Sequence, residues 1–310
     1  MPGELLVYLN GELVEESKAR VSPFDRGFMM GDGVYEITGC FNGNLYRLDD
    51  HLDRLYRSLR YVSIDPGMTM EEMKKVTLDL FEANKEQLKG YALYRAGHWV
   101  TRGKDALSNA ARDAGPPTVF IFFRLIEVEK YAHAFKEGVK VAVVPTRRNP
   151  PACIEPRAKV TSKLNQILAE LDADASNSLS LILDIYGNVT ENSVANFFLV
   201  RDGVLWTPPE KNILEGITRL AVFDMAERLG IPLEERDFTM YDVAQADEFF
   251  LSSSVICALP IREVDRFRPK APVPGPITLA IDNGRLYKTL SRIDLSHFSD
   301  FFNILRASPI

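Results

Sequence analysis

The chain reads as a mixed α/β protein of two domains. Three observations say so: 310 residues at 46% hydrophobic content, a first stretch alternating short apolar strands with two amphipathic helices, and a second stretch dominated by short strands. That length is long for one core, and the apolar content is ample for two. The expected boundaries are an α/β domain over 1–125, a connection over 126–135 and a larger domain over 136–310.

The opening LLVYLNGELV carries an Asn10–Gly11 turn between two apolar runs, a strong hairpin signal. Val34 to Phe41 is strand-like, Asn42–Gly43 turns it, and Asp49 or Asp50 is placed to cap a helix. In that helix Leu48, Leu52, Leu55 and Leu59 recur at spacings of four, three and four and so share one face; Arg54 lies off it. Residues 69–88 predict a second helix, entered at Thr69 with Glu71 and Glu72 in its first turn. YALYRAGHWV and TVFIFF are further strands, and the polar GKDALSNAARDAGPP between them predicts a surface loop. VKVAVVP then restarts the strand pattern, followed by a proline-rich stretch and a helix from about Ser162 to Asp174. Strands are expected at LSLILDI, ANFFLV, GVLWTP and EFFLSSS. TRLAVFDMAERLG is a helix ended by Gly230, and the tail after Pro276 reads as helical.

A balance of 37 basic and 43 acidic residues, net −6, offers no field to draw a polyanion, so nucleic acid is not an expected partner. Cys40, Cys153 and Cys257 are odd in number and lack metal-ligand spacing, so no metal is expected. The opening residues lack a basic region followed by an apolar run, and an apolar stretch such as Val119 to Phe123 has the length of a buried strand. A soluble, cytoplasmic protein is the expectation.

Five scattered segments carry side chains that together suit an aldehyde cofactor bearing a phosphate. Such a group needs an amine for a Schiff base, an acid near its pyridine nitrogen, and cationic or amide donors for the phosphate. Lys159 follows Pro156 at the entry to a helix, where an irregular segment can aim a side chain inward. Its rival Lys163 is expected on the helix, extending outward. Glu191 sits in a polar cluster ahead of the strand ANFFLV. Gly216, Ile217 and Thr218 open a predicted helix whose N–H groups and dipole favour an anion, and Ser252 to Ser254 could form a second donor loop. Arg54 could supply charge. Taken singly, each has an ordinary reading: a solvated lysine, a turn carboxylate, a threonine cap, a serine turn.

Together the segments resemble the class IV, or fold type IV, pyridoxal-phosphate aminotransferases. The resemblance rests on VSPFDRGFMMGDGVYEITGCFNGNLYRLDDHLDRL, the Lys159 segment, VTENSVANFFLVRDGVLWTPP, ILEGITR and ERDFTMYDVAQADEFFLSSS followed by ALPIREVD, in family order over about residues 5–278. It implies a smaller N-terminal α/β domain, a larger C-terminal pseudo-barrel domain, and a homodimer with active sites at the domain and subunit boundary. It also implies pyridoxal 5′-phosphate as cofactor. Lys159 matches the Schiff-base lysine, Glu191 the partner of the pyridine nitrogen, and Arg54 the phosphate arginine. Ile217 and Thr218 match the phosphate-binding helix start, Ser254 the second phosphate loop, and Tyr35 the aromatic residue on the substrate side. Ping-pong transamination between an amine or amino acid and a 2-oxo acid follows from the resemblance, with Lys159 moving the proton.

The substrate pattern departs from the better-known members. Branched-chain enzymes of the family carry Gly and a basic residue two and four positions after the Tyr35 equivalent, where this chain has Ile37 and Gly39. D-amino-acid enzymes carry a lysine at the later position and an Arg-x-His trap, which GKDALSN does not match. RRNPPACIEPRAK is similar to the corresponding segment of (R)-selective amine transaminases. The expectation is a D-amino acid or (R)-amine donor with pyruvate or 2-oxoglutarate as acceptor. A branched-chain L-amino-acid aminotransferase, an aminodeoxychorismate lyase and a non-catalytic cofactor-binding protein are the alternatives. Arg95, Arg102, Arg147 and Arg148 are the arginines available to a substrate carboxylate, with Arg102 the first choice.

Overall fold

The computed structural model describes residues 4–41, 43–89, 91, 93–105, 110–126 and 129–282. The chain divides into two compact units. The first takes 1–126 and, separately, Ala158–Lys163; the second takes Glu127–Arg157 and everything from Leu164 on. The sequence predicts one connection, over 126–135. Instead a six-residue segment returns to the first unit, and the expected connection already contains the start of a helix, Glu129–Glu137, with Phe135 buried.

The first unit is an antiparallel sheet ordered β2-β1-β6-β5-β3-β4. Its strands are β1 (Leu6–Leu9), β2 (Glu12–Glu15), β3 (Gly33–Phe41), β4 (Asn44–Leu45), β5 (Leu93–Thr101) and β6 (Thr118–Leu125). Asn10 and Gly11 both take positive φ, as the β1–β2 hairpin turn requires. Its helices are α1 (Arg26–Met30), α2 (Leu48–Tyr61), α3 (Met70–Ala83) and α4 (Lys85–Leu88). Thr69 caps α3 in a reciprocal pair with Glu72. Helix α2 starts differently from expectation. Arg47, in the left-handed conformation, is its N-terminal flank, while Asp49 and Asp50 lie in the first turn, and Arg47 pairs with Asp50.

Period-2 alternation on β3, β5 and β6 sends Val34, Cys40, Ala96, Val100, Val119, Ile121 and Phe123 into one core with Leu52, Leu55 and Leu59 of α2 and Met73 and Leu80 of α3. Truncating a fully buried leucine such as Leu55 to alanine in a core of this kind costs about 2–5 kcal/mol. The same inward face carries polar groups: Glu36 and His98 are wholly buried between those apolar positions.

The second unit holds a mixed sheet ordered β11-β10-β9-β12-β13-β7-β8. After α5 (Glu129–Glu137), its elements are β7 (Val139–Arg147), α6 (Leu164–Asp174), β8 (Leu179–Leu183), β9 (Asn196–Arg201), β10 (Val204–Thr207), α7 (Ile217–Leu229), β11 (Leu233–Glu235), α8 (Met240–Val243), β12 (Glu248–Ser253), β13 (Cys257–Val264) and α9 (Pro276–Ile281). Alternate residues again divide the faces. Leu181, Phe197, Leu199, Phe249, Leu251, Leu259 and Ile261 share one core. Phe198, Val200, Phe250 and Ala258 pack against Val222 and Ala226 of α7. Gly230, at positive φ, ends α7 as expected. The helical reading of the tail holds for α9; beyond residue 282 it lies outside the described residues, as does 106–109 of the polar loop.

Burial pushes His98 down to about 4 from an ordinary value of 6.5. The folded chain therefore binds fewer protons at this site than the unfolded chain between those values. This contribution to stability is complete above pH 6.5 and is lost as pH falls towards 4. At about 1.4 kcal/mol per pH unit, the loss is about 3 kcal/mol. Urea unfolding followed by Trp99 fluorescence in a Trp206→Phe background should show the midpoint falling between pH 6.5 and 4.5, with a shallower fall in His98→Gln. Equal slopes in the two proteins would contradict this assignment.

Candidate active site

The candidates divide between the units: Tyr35, Arg54, Arg102 and Lys159 in the first, Glu191, Ile217, Thr218 and Ser254 in the second. In the first unit, β3 and α2 do the positioning. Helix α2 buries Leu52, Leu55 and Leu59, and on the flank of that stripe it also buries His51, Arg54 and Ser58. Arg54 thus lies off the apolar face, as the spacing says, yet is 2% exposed. Its Nε and one terminal nitrogen donate to the two oxygens of Glu36 at 2.9 and 2.7 Å. His51 Nδ1 lies 3.0 Å from the same carboxylate, and the Ile37 N–H donates to it at 2.9 Å. Burial alone would raise Glu36, but Arg54 and His51 hold it well below the usual carboxylate range. Burial in turn lowers His51, against the pull of Glu36.

Lys159 belongs to the returning segment, which is strapped onto β3. The Tyr35 N–H donates to the Lys159 carbonyl at 3.0 Å, and the Thr161 N–H to the Gly33 carbonyl at 2.9 Å. Val160 bridges to Val34, and the Thr161 hydroxyl donates to the Gly31 carbonyl at 2.8 Å. On the helix side the Lys159 N–H donates to Ser58 Oγ at 3.1 Å. With its backbone held, Lys159 carries Nζ to 4.5 Å from the centre of the Tyr35 ring. Lys163 departs from expectation: it precedes α6, which starts at Leu164, and its Nζ stands 5.7 Å from the same ring. Burial raises the Tyr35 hydroxyl, and the Lys163 charge opposes that.

Tyr35, Ile37 and Gly39 occupy the opposite face of β3 from Glu36, and in register they face Trp99, Gly97 and Arg95 of β5. Tyr35 stacks on Trp99 at 4.9 Å, and Trp99 lies 5.4 Å from Phe122. Arg102, the first choice for a substrate carboxylate, is otherwise engaged. It forks onto Asp32 at 2.9 and 3.1 Å and donates to the Ser63 and Val62 carbonyls at 2.9 and 2.7 Å. These contacts take four of the five N–H donors of the guanidinium, so a substrate carboxylate would compete with bonds already made. Arg147 donates to the Val144 and Pro145 carbonyls, and Arg148 pairs with Glu191. Of the four arginines, Arg95 has no side-chain hydrogen bond or ion pair among the described residues, and its Nε is buried.

In the second unit Glu191 is 7% exposed. One oxygen meets Arg148 at 2.9 Å, and the other accepts from Asn196 Nδ2 and the Leu214 N–H, both at 3.1 Å. Asn196 also donates to the Leu214 carbonyl at 2.9 Å, which fixes the approach to α7. Gly216 flanks that helix with no side-chain cap, and a Cβ there would stand 2.1 Å from Asn196 Oδ1. Ile217 and Thr218 are buried in the first turn. Asn196 pairs in register with Ser252, whose buried hydroxyl has no partner among the described residues, and Ser254 follows in the turn after β12. Glu191, the start of α7 and the Ser252–Ser254 corner therefore gather at one end of β9 and β12.

Glu36, His51, Asn196 and the pairing of Arg148 with Glu191 are not among the candidates the sequence offers. Glu36 had a signal: a carboxylate on the inward face of a strand between Val34 and Cys40 must find a cation, and His51 and Arg54 stand three apart on the next helix. The Arg148–Glu191 and Asn196–Leu214 contacts bridge separate segments and carry none.

The family model for amino-transferase class IV matches residues 33–264. A Methanocaldococcus jannaschii protein, provisionally named a branched-chain-amino-acid aminotransferase, is 36% identical over 84% of this chain and 88% of its own length. A Listeria monocytogenes D-alanine aminotransferase is 34% identical over 88% of this chain and 92% of its own. Among solved structures, a branched-chain aminotransferase from Thermoproteus uzoniensis with norvaline superposes at a TM-score of 0.80 with 32% identity, covering 93% of this chain and 98% of that one. The strand, helix-start and lysine segments described above fall within the matched span, and the chain belongs to the class IV aminotransferases, enzymes that use pyridoxal 5′-phosphate.

Proposed function

We propose that this aminotransferase moves an amino group from a D-amino acid or (R)-amine to a 2-oxo acid such as pyruvate or 2-oxoglutarate by a ping-pong mechanism. The observation that carries the donor reading is the outer face of β3, where Ile37 and Gly39 follow Tyr35. Ile37 adds bulk beside Tyr35 where branched-chain enzymes carry glycine, and Gly39 removes the cation that follows. The D-alanine aminotransferase relative supports this choice. The branched-chain names among the relatives support the second reading, an L-amino-acid enzyme.

The residues fit pyridoxal 5′-phosphate. An uncapped helix start with glycine at its flank, beside the orphaned Ser252 hydroxyl, suits a phosphate ester. In this reading Ile217, Thr218, Ser254 and Arg54 hold the phosphate, Glu191 meets the pyridine nitrogen, and Lys159 supplies the amine. The bound cofactor supplies an electron sink for the substrate carbon. Lys159 carries the proton to and from that carbon at Nζ, with its backbone strapped to β3 so that the amine stays beside Tyr35. Glu191, charge-matched by Arg148 and fixed by Asn196, presents a carboxylate that cannot turn away. Arg95 takes over from Arg102 as the arginine for a substrate carboxylate. A homodimer is part of the same reading; Leu164, Ile167, Leu168 and Leu171 form an exposed apolar ridge on α6 that a second copy could cover.

A donor screen of both enantiomers of alanine, leucine, glutamate and 1-phenylethylamine, with pyruvate or 2-oxoglutarate as acceptor, tests the donor. Turnover of the D- or (R)-donors is expected; rapid turnover of L-leucine with none of the D- or (R)-donors would promote the branched-chain reading. Glu191→Gln should retain cofactor but slow the single-turnover half-reaction by about 10²-fold or more. An unaltered half-reaction would remove Glu191 from its role.

A further inference from the structure

We propose that Glu36 and His51 are positioning residues that hold Arg54 ready for a phosphate ester. The proposal rests on the reading of Arg54 as a phosphate residue. An arginine side chain has four flexible torsions, and ordering it at the moment of binding weakens affinity. Here the ordering is done in advance. The carboxylate of Glu36 takes both donors along one edge of the Arg54 guanidinium, Nε at 2.9 Å and a terminal nitrogen at 2.7 Å, which fixes the plane of the group as a single contact would not. Glu36 is itself fixed, by the Ile37 N–H at 2.9 Å and His51 Nδ1 at 3.0 Å.

An ionised carboxylate only accepts, so His51 must donate from Nδ1, which sets its tautomer. Its Nε2 is buried with no partner among the described residues. All three residues are at most 2% exposed, one on β3 and two on adjacent turns of α2. The negative charge of Glu36 partly cancels the field of Arg54, so its contribution to anion binding is orientation rather than attraction. An ion pair that merely joins strand to helix would stabilise the fold without regard to what binds. A positioning role is specific to the phosphate.

The test uses the full-length enzyme, resolved of cofactor and titrated back with pyridoxal 5′-phosphate and, separately, with pyridoxal, which lacks the phosphate. For Glu36→Gln the affinity for pyridoxal 5′-phosphate should fall about tenfold while that for pyridoxal stays within about twofold, and His51→Asn should shift the same ratio in the same direction. Glu36→Asp, which keeps the charge but withdraws it by one methylene, should show the same selectivity and serves if Glu36→Gln does not fold. Equal losses for both ligands would make the cluster purely structural and overturn the proposal. Unchanged affinities in the Glu36 variants, alongside a loss in Arg54→Lys, would overturn it while leaving Arg54 in place. No loss in Arg54→Lys would instead overturn the reading of Arg54 beneath it.

Discussion

The return of Ala158–Lys163 into the first unit is the constraint on which the rest of the site depends. Lysine is a long, strongly hydrated side chain, and on a free connection its amine would spend its time in water. Here main-chain hydrogen bonds from Tyr35 and Thr161, together with the Ser58 hydroxyl, hold the backbone on either side of Lys159. Only the side-chain torsions remain to be ordered, and the Tyr35 ring lies under the amine. Because β3 alternates, the strand that anchors this segment also presents Glu36 inward to Arg54 and Ile37 and Gly39 outward beside Tyr35. One strand therefore anchors the Lys159 segment, pairs Arg54 through Glu36, and carries Tyr35, Ile37 and Gly39 on its other face.

The second unit solves a different problem, how to keep a buried carboxylate charged and still. Glu191 draws partners from separate segments, among them Arg148 after β7, Asn196 at the start of β9 and the Leu214 N–H before α7. A carboxylate buried without such partners would cost several kcal/mol. Asn196 is the hinge of the arrangement, since it also occupies the space that any side chain at position 216 would need. Glycine is required there by packing, and the same packing leaves the helix start bare.

Much of this was legible in the sequence because it is written in local periodicity. The leucines of α2, the helix entry at Thr69 and the Asn10–Gly11 turn each follow from spacing alone. What the spacing could not carry were contacts between segments far apart in the chain. Arg102 looked available because its partners, Asp32, Val62 and Ser63, lie some forty to seventy residues away. Lys163 looked turned to water because α6 was expected to start near Ser162, and a helix starting at Leu164 leaves it beside Tyr35 instead. The strap itself has no local signature: Ala158–Lys163 lies between a proline-rich stretch and a helix, with no strand pattern of its own.

Two lysines thus approach one aromatic ring, and the proposed function assigns the cofactor amine to Lys159. Borohydride fixation of pyridoxal 5′-phosphate to the enzyme, followed by peptide mapping, decides it most directly. The expected result is a yellow protein in which the label falls on Lys159. A label on Lys163, or a reconstituted protein that takes up no cofactor, would contradict it.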